Sequence, residues 1–73
     1  MPTMKEVQVQ TVHSIIESIK EAKAKGDTEN VQWNWARAYG YADCLQNCEV
    51  ITHEEAAKLQ DLACCEAQTP EET

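Results

Sequence analysis

A chain of 73 residues with two Gly, two Pro, no Phe and a formal net charge of −7 is one small domain with a thin supply of core. Residues 1–26 hold four Lys against three carboxylates, whereas residues 27–73 hold only Arg37 and Lys58 against ten, a balance that repels phosphate backbones and anionic membranes. No apolar run approaches the roughly 20 residues of a membrane span and no charged-then-apolar leader opens the chain, so the expectation is a cytoplasmic protein with reduced thiols, bound neither to nucleic acid nor to membrane.

Low Gly and Pro with abundant Ala, Glu, Gln and Lys predict helix throughout, in an all-α three-helix domain over residues 1–73. The first helix spans about 3–25. Val9, Val12, Ile16 and Ile19 recur at spacings of three and four, Pro2 or Thr3 opens the helix, and Gly26 closes it after Lys23 and Lys25. The alternation Glu6-Val7-Gln8-Val9-Gln10 also suits a strand, but nothing else in the chain offers it a partner. Asp27-Thr28-Glu29-Asn30 reads as a loop of capping residues, and the second helix is predicted over about 31–48.

The apolar residues of the second helix fall on two adjoining faces. One carries Val31, Trp35, Ala38, Ala42 and Leu45, and the other Tyr41, Cys44 and Cys48. A helix apolar over most of its circumference is buried on more than one side, which makes this the central element. Thr52 with Glu55 matches a capping box, and Ile51 just before it can staple onto Ala56. The third helix follows over about 53–66 with Ala56, Leu59, Leu62 and Ala63 inward. An acidic tail over 67–73 completes the domain.

Four Cys invite a metal reading. Cys44 and Cys48 lie one turn apart, His53 follows at the hairpin turn, and Cys64 lies on the next helix, giving a conceivable zinc set of Cys44, Cys48, His53 and Cys64. Cys-x-x-x-Cys on a helix is not the usual knuckle spacing, however, and Cys is a common buried residue, so structural thiols without metal or cofactor are expected. Catalysis has little to stand on. His13 and His53 are isolated, and neither a Ser-His-Asp pattern nor a Gly-rich phosphate loop is present; the expectation is a protein that is not an enzyme.

Trp33 and Trp35 point to different sides of a helix start, so one of them, Trp33, is expected at the surface, where Trp often anchors an interface. Ala38, Gly40 and Ala42 form a small-residue patch. Together with Trp35, Tyr39, Tyr41 and Leu45 it suits close helix packing or a homodimer interface, and a homodimer is expected because one copy has too little core to cover this helix.

The run Tyr39-Gly40-Tyr41-Ala42-Asp43-Cys44-Leu45, followed by Val50-Ile51-Thr52-His53-Glu54-Glu55, resembles a helical hairpin of small bacterial and phage proteins, departing from it at Glu49, where a Gly is usual. In size, acidity and helicity the chain is similar in style to small phage- or mobile-element-encoded accessory proteins of the anti-CRISPR kind. That resemblance implies a partner with a basic surface, such as a host nucleic-acid-handling protein. The expected function is therefore an acidic protein-binding module, with Asp27, Glu29, Asp43, Glu49, Glu54, Glu55, Asp61 and Glu66 supplying the field and Trp33 the apolar anchor. The alternatives are a structural or zinc-stabilised homo-oligomer, or a small-molecule binder at an oligomer interface.

Overall fold

Side-chain caps decide where the three helices begin. In the computed structural model, which describes residues 1–68, α1 covers Met4–Ala24, α2 Thr28–Asn47 and α3 His53–Ala67. Thr3 opens α1 with a full capping box: its hydroxyl accepts from the Glu6 N–H at 3.1 Å, and Glu6 Oε1 accepts from the Thr3 N–H at 2.8 Å. Thr52 and Glu55 repeat the arrangement at α3, with the same two distances. Asp27 caps α2, its carboxylate accepting from the backbone and side-chain N–H groups of Asn30 at 3.3 and 2.6 Å. Thus the residues expected to form a loop are already helical from Thr28, three positions before the first apolar residue.

The helix ends are equally well defined. Gly26 (φ 72°) follows α1, with the Gly26 N–H donating to Lys23 O and the Asp27 N–H to Ala22 O. Glu49 (φ 62°) follows α2, with the Glu49 N–H donating to Gln46 O and the Val50 N–H to Leu45 O. Both are Schellman turns, which need a left-handed residue just past the helix. Gly adopts that conformation freely; at Glu49 a side chain is forced into it. Each turn leads straight into the next cap, so the connections are short and the helices are antiparallel neighbours.

Bulk and smallness are divided between the helices. α1 buries Val12, Ile15, Ile16, Ile19 and Ala22, α2 buries Val31, Asn34, Ala38, Ala42 and Leu45, and α3 buries Ala56, Leu59 and Ala63, with Ile51 closing the hairpin end. The large side chains of α1 thus pack on small ones of α2. α2 is the central element: it packs more extensively on α1 and on α3 than those two pack on each other. The Cα envelope, 38 × 23 × 15 Å, is thin, and part of α2 stays uncovered.

Four expectations about burial are corrected. Trp35 does not enter the core stripe; Asn34, one residue earlier, takes that place and is the only buried polar residue among those described. Both choices satisfy a spacing of three and four, and the helix is rotated so that Tyr41 leans on α1, where its hydroxyl donates to Gln8 Oε1. Cys44 and Cys48 are exposed and form no second buried face, and Leu62 is also exposed. Gly40 points outward, and a Cβ added there would meet nothing within 4 Å, so it plays no part in close packing. Of the tail expected over 67–73, Ala67 ends α3 and Gln68 is its C-cap, while 69–73 lie outside the described residues.

Candidate functional site

The uncovered part of α2 carries most of the aromatic surface. Trp33 is 60% exposed, Trp35 36% and Tyr39 42%, whereas Tyr41 is half-buried. Trp35 and Tyr39 lie one turn apart on the α3 side with ring centroids 5.6 Å apart and planes tilted by 47°, an offset arrangement that suits the ring quadrupoles. α3 fixes both: the Trp35 Nε1–H donates to Cys64 Sγ at 3.3 Å, and Gln60 Nε2 donates to the Tyr39 carbonyl at 3.2 Å. Asp43 follows one turn further along the same line and is exposed. Trp35, Tyr39 and Asp43 therefore form a row of two ring faces ending in a carboxylate.

The remaining residues of the expected packing or dimer face are divided by this geometry. Ala38, Ala42 and Leu45 are buried within one copy, with Ala42 fully enclosed, so they serve helix packing and have no surface left for a second chain. Of that set Trp35, Tyr39 and Gly40 lie at the surface, and Tyr41 is half-buried.

The carboxylates of the expected acidic surface do not converge. Asp27 is used as a cap, and Glu55 is both a cap and the partner of Lys5, at 2.8 Å between α3 and α1. The Lys5 ammonium, with the Thr52 backbone N–H behind it, holds the Glu55 carboxyl below the ordinary carboxylate range. Glu66 lines a groove between α3 and α1 near His13 and Lys20. Asp43, Glu49 and Glu54 cluster by sequence around the α2–α3 turn, exposed and without an ion pair among the described residues, while Glu29 lies at the far end of α2 and Asp61 on the outward side of α3.

The four-residue zinc set is not assembled. Cys64 sits against Trp35, the His53 Nδ1 is 3.0 Å from Gln46 Nε2, and among the described residues no three His, Cys, Asp or Glu side chains are gathered to hold an ion. The neighbouring Cys48, by its charge and by a hydrogen bond, pushes the Cys44 thiol above the ordinary cysteine value, so at neutral pH Cys44 stays protonated and is a poor nucleophile. His13 is exposed on α1, and the Ser18 hydroxyl donates to the Ser14 carbonyl. No helix of the described residues is long and apolar enough to cross a membrane.

One group was not singled out by sequence. Arg37 lies with its guanidinium carbon 4.7 Å from the centroid of the Trp33 ring, and its Nη1 donates to the Oδ1 of buried Asn34 at 2.9 Å. An Arg four residues after an exposed Trp on a helix is the signal that would have found it.

Compared with known protein families, curated proteins and solved structures, the chain gives no match. Function is thus argued from these surfaces alone.

Proposed function

We propose that this protein is a small acidic binding module that docks on a basic protein surface through the open side of α2. The observation that carries this reading is the row Trp35, Tyr39 and Asp43, two exposed rings followed by a free carboxylate. Such a row accepts a Lys or Arg side chain: the cation lies over the ring faces, worth about 0.5–1 kcal/mol each at an exposed site, and its head meets Asp43. Glu54 and Glu49, near the turn that follows, extend the negative field and speed encounter with a cationic partner. Trp33, the anchor expected from sequence, already has Arg37 over its ring on the α1 side of α2, so on this surface Trp35 supplies the anchor. A host nucleic-acid-handling protein, bound by this chain in the manner of a phage-type inhibitor, is one partner class consistent with this chemistry.

The test is affinity capture from the cells that harbour this chain, read by mass spectrometry, with matched variants. Reversal of Asp43 and Glu54 to Lys spares both capping boxes, unlike reversal of Glu55. A basic partner retained by the native chain should be lost from the double reversal and from Trp35→Ser, and its association should slow as salt rises. Capture of the same proteins by all variants, insensitive to salt, would refute the proposal.

A further inference from the structure

We infer that Arg37, held between Trp33 and Asn34, is a receptor for a single carboxylate group. Three observations converge on it. Asn34 is only 7% exposed, a polar side chain placed where a helix of a small domain otherwise presents Val, Ala and Leu to the core. Burying a carboxamide is unfavourable unless its atoms are paired, and here both ends are: Nδ2 donates to the Asn30 carbonyl at 2.9 Å, and Oδ1 accepts from Arg37. On its other side the guanidinium lies over the Trp33 ring, so two contacts restrain a long side chain that would otherwise be free to rotate.

Restrained in this way, Arg37 lacks the partner that arginines usually find. Among the described residues no carboxylate lies within ion-pair distance of it, and only one of its N–H donors meets a protein acceptor. It borders a groove of about 340 Å³ between the end of α1 and the start of α2, with Lys25 and Asn30 also in the wall. Glu21 and Asp27 line the same groove. Their charges favour a monoanion over a phosphate dianion, while the planar fork of a guanidinium matches the two oxygens of a carboxylate. Neither Glu21 nor Asp27 lies within ion-pair distance of Arg37, and Asp27 is held in place as the α2 cap on Asn30. The carboxylate comes from outside the described residues, as an acidic side chain or as a chain terminus. This site lies on the α1 side of α2, away from Trp35 and Tyr39, and the inference does not rest on the binding reading above.

Nuclear magnetic resonance of the full chain tests it, with the Trp33 indole N–H and the Asn34 carboxamide as reporters. The probes are sodium propionate for a side-chain carboxylate and N-acetylglycine for a terminus, each against sodium chloride at equal ionic strength. A saturable shift of both reporters is expected, with half-saturation on the order of tens of millimolar for a lone solvent-exposed group, and the probe that saturates earlier names the source. Arg37→Lys keeps the charge but removes the fork, and should weaken binding roughly five-fold or more. Asn34→Asp, nearly isosteric, gives Arg37 an internal carboxylate and should abolish the shift of the Trp33 indole N–H, the reporter that remains in this variant. Equal drift with the organic salts and with chloride would overturn the inference, as would undiminished binding by Arg37→Lys. Inorganic phosphate saturating at lower concentration than either carboxylate would also overturn it.

Discussion

Glu49→Gly should make the protein more stable, and the structure says by how much. Glu49 occupies the left-handed position of the turn that ends α2, at φ 62°, where Gly26 serves the equivalent turn after α1. A side chain in that region costs about 1–2 kcal/mol. Against this, Gly makes the unfolded chain more flexible, which returns about 0.4–1 kcal/mol to the unfolded state. Glu49 also sets a negative charge just past a helix whose last turn has no basic residue, and its removal relieves about 0.3–1 kcal/mol of repulsion by the carbonyl end. The net gain is about 1 kcal/mol, or a rise of roughly 4–8 °C in Tm for a domain of this size. Thermal unfolding followed by circular dichroism measures it, with Glu49→Ala and Glu49→Asn as companions. Ala removes the charge but keeps the strained Cβ, so it should gain only the smaller electrostatic part, and that part should fade in molar salt. Asn tolerates the left-handed region and should fall between the two. If Glu49→Ala stabilises as much as Glu49→Gly, backbone conformation contributes nothing here and the reasoning fails.

Gly40→Ala should also stabilise, by about 1 kcal/mol, because Gly40 lies inside α2 with open space where a Cβ would go; denaturant titration checks this. Ala42→Arg should abolish cooperative unfolding and lower the helical signal, since Ala42 has no exposure and the guanidinium would be buried without a partner. Glu55 titrates below the ordinary carboxylate range in the folded protein, so its contribution is present above that range and is lost as pH falls through the lowered folded value. Lys5→Ala removes the main cause, and the fall in Tm between neutral pH and about pH 3 should be smaller in that variant than in the native chain.

The helices were legible in the sequence because their signals are local. Thr52 with Glu55 marks the start of α3 unambiguously, and the regular Val12, Ile16 and Ile19 spacing marks α1. Thr3 with Glu6 carries the same capping signature at the start of α1, and Asp27 with Asn30 is a weaker form of it; reading Asp27-Thr28-Glu29-Asn30 as a loop of capping residues sets the start of α2 three residues late. What did not follow from local signals was the rotation of α2. Positions 34 and 35 flank the buried stripe almost symmetrically, and hydrophobicity alone favours Trp35. The choice is made by the neighbours. α1 is long and bulky and covers the Asn34 and Tyr41 side, whereas α3, which meets Trp35 and Tyr39 through Cys64 and Gln60, covers less. The exposure of Trp35 and the Arg37 clamp both result from that rotation, which apolar spacing alone does not reveal.

The division of size between the helices also sets which positions are free to change. On α1 the core residues cannot shrink without leaving a void beside Val12 or Ile19, and on α2 they cannot grow, because Ala38 and Ala42 are enclosed by their neighbours. The outward residues of α2 answer to neither demand. Drift or laboratory selection can therefore rewrite the exposed row at Trp35, Tyr39 and Asp43 one residue at a time while the small residues beneath hold the scaffold unchanged. A lineage built on this architecture would be expected to keep its alanines and vary its rings.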